Sequence, residues 1–267
     1  MKVAPTVSVL VLWCLLNVSL AVASPQVWFD EAHAQAFKVG QSGELQLSGL
    51  AKVFREGGWE VVPGTEPLTA RRLKQVQALV ISGPFKPLAA SEVEAVLKFI
   101  RDGGRVAVML HIGPPLSSLL SRLGVLHSNG VIQEQANMIE GEALNFHAQL
   151  GERHPVTSGI EHFALYGSWA LLAEEAQTET LASSSSRSWV DLNGNRQLDE
   201  YDAQQSFAVL VHGKLGRGEY LVFGDDAIFQ NRFLRDENLT LARNLATWLM
   251  TGPQGELAMV NAGKRDE

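Results

Sequence analysis

Two short apolar runs, ALVIS at residues 78–82 and RVAVML at residues 105–110, enclose one amphipathic segment, SEVEAVLKFIRD at residues 91–102. The runs lack the polar alternation of a strand with one wet face, so each reads as a strand buried on both faces. Between them Val93, Val96, Leu97 and Ile100 recur at helical spacing, and Gly103-Gly104 closes the helix. Strand, helix and strand at these lengths admit one simple arrangement, two parallel strands joined by a right-handed crossover.

The same alternation extends through the first half. Val27 to Phe29 predicts a strand, Leu47 to Gly57 a helix, Trp59 to Val62 a strand, and Thr69 to Gln75 a short helix capped by Thr69. Pro115 to Leu123 predicts a further helix ending at Gly124. The second half changes character. Val131 to Asn145 and Ser183 to Val190 read as irregular strands or loops. Phe207 to His212 and Tyr220 to Phe223 read as a hairpin, and Leu239 to Met250 as a closing helix. At 267 residues and 46% hydrophobic content there is ample material for one sizeable core. We therefore expect one α/β domain over residues 24–252, with a mostly parallel sheet, a β-rich insertion at about 125–206, and a flexible tail at 253–267. A net charge of −7 gives no basic face for nucleic acid.

The N-terminus carries Lys2, an apolar run from Val7 to Val22, and Ala21-Val22-Ala23. That is the pattern of a signal peptide at residues 1–23, cleaved near Ala23. The expected location is periplasmic or secreted, with membrane contact only through the uncleaved signal. Cys14 is the single cysteine and would leave with that segment. Thiol catalysis and cysteine metal sites are then excluded, and no disulfide braces the exported chain.

Several segments in order resemble a known family: FDEAHA after the first strand, ALVISGPF, RVAVMLHIGPP, HPVTSGI at 154–160, and GRGEYLVFGDDAIFQN before the last helix. Together they resemble the class I glutamine-amidotransferase-like domains, in an exported branch lacking the catalytic cysteine. They are also similar to domains of gliding-motility-type transport accessory proteins and intraflagellar-transport proteins. The resemblance covers most of Pro25 to Thr251 and implies a flavodoxin-like, doubly wound sheet. It does not imply amidotransferase activity, because the turns after the central strands read Ser82-Gly83-Pro84 and His111-Ile112-Gly113, without a thiol. Ser82 also lacks the G-x-S-x-G context of a nucleophile elbow.

In an open parallel sheet, ligands gather outside the carboxyl ends of the strands. Asp30, Glu31, His33, Ser82, His111, Asp225 and Asp226 are expected there, and Asp30, His33, Ser82, His111 and Asp225 are the candidate ligand-binding set. Carboxylate and imidazole are suitable donors for a metal or a polar ligand. The alternative is that they cap helices and satisfy loop backbone. His127, His147 and His162 show no partners at ligand spacing, and His154-Pro155 reads as a turn.

The most chemically pointed stretch is SWVDLNGNRQLDEYDA at 188–203. Counted from Asp191, oxygen-bearing residues fall at the EF-hand positions: Asp191, Asn193, Asn195, Gln197 (through its carbonyl), Asp199 and Asp202. Calcium takes six to eight oxygens, and alternating short Asp and Asn residues supply them as a chain curls. The loop is also dockerin-like in ending on Asp202. Arg196 stands where the turn wants glycine, and Ser188-Trp189-Val190 reads as strand. The expectation is structural calcium in a loop spliced between β segments.

The function expected from all this is a non-catalytic binding or scaffolding domain, engaging an envelope protein or a small polar ligand. The alternative is a metal-assisted or Ser/His hydrolase at the strand ends. Convergence of His33, His111 and Asp225 on one pocket would favour the hydrolase.

Overall fold

The computed structural model describes residues 24–252. The expected signal peptide at 1–23, with Cys14, and the expected tail at 253–267 lie outside the described residues. The first half runs β1 (Gln26–Asp30), α1 (Ser48–Glu56), β2 (Glu60–Gly64), α2 (Ala70–Leu73), β3 (Ala78–Ser82), α3 (Ala90–Arg101), β4 (Arg105–Met109) and α4 (Ser117–Arg122). Nine strands follow with no α-helix between them: β5 (Val125–Gln133), β6 (Met138–Ile139), β7 (Glu142–His147), β8 (Gln149–Leu150), β9 (Ala164–Tyr166), β10 (Trp169–Ala173), β11 (Thr178–Ser183), β12 (Trp189–Val190) and β13 (Ala203–Gln204). A hairpin, β14 (Ala208–Leu215) and β15 (Gly218–Phe223), and the helix α5 (Asp236–Met250) complete the order.

One large sheet holds the strands in the order β13-β12-β5-β10-β14-β15-β4-β3-β1-β2, with β11 and β8 branching from β14. From β2 to β15 the neighbours are parallel. From β15 outward they are antiparallel. The fold is thus mixed α/β with a large sheet of both strand senses, which corrects the expectation of a mostly parallel sheet. The cause is the hairpin. β14 folds back on β15 and presents a fresh edge, and the segment expected as an insertion builds outward from it. At Ala208 that edge meets both Leu171 of β10 and Ser183 of β11, so the sheet forks there. A separate three-stranded sheet, β6-β7-β9, stands beside it.

The parallel half is buried on both faces. All five residues of β3 are buried, as its unbroken apolar run requires. Val80, Ala107, Leu221 and Phe223 face α1 and α5 with Phe54, Leu241 and Leu245. Leu79, Ile81, Val106, Val108 and Val222 face the other way with Val96, Leu97, Ile100 and Leu120. This period-two division is what fixes the strand register. Among the described residues no helix is long and apolar enough to cross a membrane.

Candidate functional site

The carboxyl ends of β1, β3, β4 and β15 lie side by side, and they carry the polar residues expected from the sequence. The side chains sort into separate groups. In the first, His33 lies between two carboxylates, with Nδ1 2.7 Å from Asp30 Oδ2 and Nε2 3.2 Å from Glu92 Oε2. The Gln35 amide donates to Asp30 Oδ2 and its oxygen accepts from His33 N. Glu92 stands in the first turn of α3 and accepts from the Ala89 and Leu68 amides, joining three loops. Burial pulls the His33 ring down, but Asp30 and Glu92 outweigh it and hold it up at about 8. Burial pushes Glu92 up, and its donors, Ala89 first, outweigh that and hold it below its ordinary range.

The second group is a pair. His111 Nδ1 is 3.0 Å from Asp226 Oδ1. The bond to Asp226 raises the ring's proton affinity against the opposing effect of burial. Asp226 is 1% exposed, whereas the His111 side chain is 35% exposed. Phe37 and Phe85 flank that ring, with centroids 5.0 and 5.2 Å away. With Nδ1 engaged by Asp226, Nε2 is the remaining polar atom of the imidazole. Trp169 Nε1 donates to the His111 carbonyl and fixes the backbone beneath.

Asp225 shares no hydrogen bond with either group, although its charge acts on the adjacent Asp226 and on His111. Its oxygens accept from the Tyr166 amide at 2.6 Å and the Ala227 amide at 2.8 Å, so it ties β9 and a following turn to the end of β15. Burial pushes its carboxyl up to about 7. Ser82 Oγ and Asp226 Oδ2 are buried without a hydrogen-bond partner among the described residues. Between them, Gly83 takes φ +55°, and a Cβ there would meet Asp226 Oδ2 at 2.2 Å. Only glycine lets Asp226 approach so closely. Glu31 accepts from the Val39 amide and closes its own loop. Sequence reading missed Glu92, which reads as an ordinary charge on a helix. It also favoured Asp225 over its neighbour as a candidate ligand, although Asp226 is the one that meets His111.

The loop at 191–202 is a turn between β12 and β13, as its flanking residues implied. Asp191 accepts from the Gly194 and Arg196 amides, Asn193 from Asn195 N, and Asn195 from Gln197 N. Asp202 accepts from Leu192 N and Asp199 N, closing the loop's ends. The Asn193 and Asn195 amides both point to Asp199. Arg196 adopts φ 62°, the conformation for which position six of a calcium loop ordinarily uses glycine. Leu198 is 39% exposed and so does not anchor the loop in a core. Among the described residues no three His, Cys, Asp or Glu side chains are gathered as a metal site.

Fold and site together define a mixed α/β domain with bonded polar groups, not a nucleophile elbow, at its parallel strand ends. The chain belongs to the family described as Domain of unknown function (DUF4350), whose model matches residues 41–246. This corrects the amidotransferase-like resemblance. Two of the five segments that carried it, ALVISGPF and RVAVMLHIGPP, are central strands and their turns, and buried parallel strands read alike in many families. No curated protein matches the sequence. Among solved structures, the mmIFT52 N-terminal domain aligns with TM-score 0.68 at 18% identity, over 85% of this chain and 98% of that one. A ThuA-like protein from Bacteroides uniformis gives 0.52 at 15%, over 85% and 93%. The β-galactosidase from Bacillus circulans gives 0.51 at 13%, over 86% of this chain but 31% of the enzyme. At such identities these likenesses concern the fold alone.

Proposed function

We propose that this chain is an exported binding or scaffolding domain whose antiparallel half is braced by a calcium ion in the 191–202 loop. The observation that carries the binding reading is that His33, His111 and Asp225 hydrogen-bond to different partners and not to one another. Each is engaged by its own partners, and His33 and Asp225 hold loops together from buried positions. What faces outward is the His111 ring between Phe37 and Phe85, which suits contact with an envelope protein or a small polar ligand. We read the parallel strands β2-β1-β3-β4-β15 as a flavodoxin-like, doubly wound core, in which this end is the ordinary place for a ligand. Export rests on the charged, apolar and Ala-x-Ala pattern of the first 23 residues.

The calcium reading rests on the donor set and on the curl of the loop. Asp191, Asn193, Asn195, Asp199 and Asp202 would supply side-chain oxygens, Gln197 a carbonyl, and Arg196 already takes the left-handed turn. Strands β12 and β13 are two residues each, so the ion would hold a hairpin that few ladder bonds secure.

One observation favours the hydrolase alternative: the His111–Asp226 pair stands near a buried Ser82 hydroxyl without a partner. A fluorophosphonate probe separates the two readings. The binding domain leaves Ser82 unlabelled by intact mass and peptide mapping. A stoichiometric adduct on Ser82 that disappears in His111→Ala overturns it.

A further inference from the structure

The protein has seven histidines, and five have a ring nitrogen engaged in a hydrogen bond: His33, His111, His127, His154 and His212. His147 and His162 are the exceptions. No hydrogen bond among the described residues holds either ring, and Nδ1 of His147 is buried without a partner. Yet the two imidazoles meet, with centroids 4.3 Å apart and planes at 78°. The two residues are 15 positions apart, and no spacing rule pairs them. The small sheet brings them together. His147 pairs with Ala164 in the β7–β9 ladder, and Ala148 N donates to Phe163 O beyond it. Carrying that register one step further sets His162 opposite Gln149, so His147 and His162 are diagonal neighbours on one face.

We propose that His147 and His162 form a two-imidazole site for a divalent transition-metal ion such as zinc or copper(II). Imidazole is the commonest protein ligand for these ions. Bonds of about 2.0–2.1 Å from two ring nitrogens to one ion require rings in near contact. The pair opens on a groove of about 500 Å³, also lined by Met138, Asn137, Gln149 and Glu161. That volume leaves room for water in the remaining coordination positions. Among the described residues no third His, Cys, Asp or Glu is gathered with the pair, so water would complete the coordination. The donor set is nitrogen-rich, and a hard ion such as calcium prefers oxygen, so this site and the 191–202 loop take different ions.

The test is calorimetric titration of the untagged protein with zinc, together with copper(II) electron paramagnetic resonance. Expected are one zinc per chain, couplings from two imidazole nitrogens in the copper spectrum, and no displacement by millimolar calcium. His162→Ala and His147→Gln should each weaken zinc by at least the roughly tenfold that losing even a supporting partner costs. Zinc affinity unchanged in both variants, or a copper spectrum without two imidazole nitrogens, overturns the proposal. Circular dichroism confirms that each variant is folded. If His147→Gln is not, His162→Ala, whose site is partly exposed, decides together with the spectrum of the unaltered protein.

Discussion

Replacing His33 by Gln should produce a pH-dependent loss of stability whose size follows from the geometry. The ring lies between Asp30 and Glu92, and its side chain is only 7% exposed, so solvent screens the interaction little. Removing the partner from buried carboxylates typically costs about 3–5 kcal/mol. The pH dependence comes from the ring itself. Its folded value of about 8 stands above the 6.5 of the unfolded chain. A raised folded value means that this stabilisation is fully present below pH 6.5 and is lost as pH rises through 8. The difference of one and a half units corresponds to about 2 kcal/mol at 1.36 kcal/mol each. Urea denaturation of the unaltered protein and of His33→Gln from pH 5.5 to 9 measures it. The difference between the two curves isolates His33 from other groups that titrate in the same window, His111 among them. It should be largest at the acid end and shrink by about 2 kcal/mol toward pH 9. A difference that stays flat, or grows with pH, refutes the claim that His33 is held as a cation between two carboxylates.

Two further perturbations address the frame around the site. Glu134 is fully buried and accepts from Ser185 N, Ser185 Oγ, Gln135 N and Ala136 N, so it clamps the end of β5 to the turn before β12. Glu134→Ala leaves the buried Ser185 N and Oγ unmatched, while the Gln135 and Ala136 amides can turn to water, and should cost at least about 2 kcal/mol in denaturant titration, at 1–3 kcal/mol for each donor left dry. Gly218→Ala should cost about 1–3 kcal/mol in the same assay, because its Cβ would meet the Ile100 carbonyl at 2.2 Å and the Gly104 carbonyl at 2.3 Å. Both obstacles are backbone, one in the last turn of α3 and one in the turn that leads into β4, and neither can swing aside.

The parallel half was legible because each element carries its own local signal. ALVIS is buried on both faces and reads so, and Val93, Val96, Leu97 and Ile100 mark the inner side of α3. The antiparallel half was not, because its strands depend on partners. β5 reads VLHSNGVIQ, with polar residues mid-strand, and becomes a strand by pairing with β10 and β12. β11 reads TETLAS, half exposed, and is held by β14. The candidate site followed the same division. Asp30, Ser82, His111 and Asp225 could be placed at strand ends from the order of elements alone. Which of them bond to one another depends on loop paths. Glu92 reaches His33 across 59 residues and Asp226 reaches His111 across 115. The contact between His147 and His162 was hidden for the same reason, since a strand register made it.

Thermal melting of the protein in calcium and in chelator tests most directly the proposal of a binding domain whose antiparallel half is held by an ion in the 191–202 loop. Saturation at about a hundred times the dissociation constant contributes about 2.7 kcal/mol. For a domain of this size that is a rise in Tm of roughly 5–10 °C. The account predicts such a rise, and its abolition in Asp191→Ala with the fold retained by circular dichroism. An identical Tm in calcium and chelator, with Asp191→Ala melting like the unaltered protein in both, would contradict it.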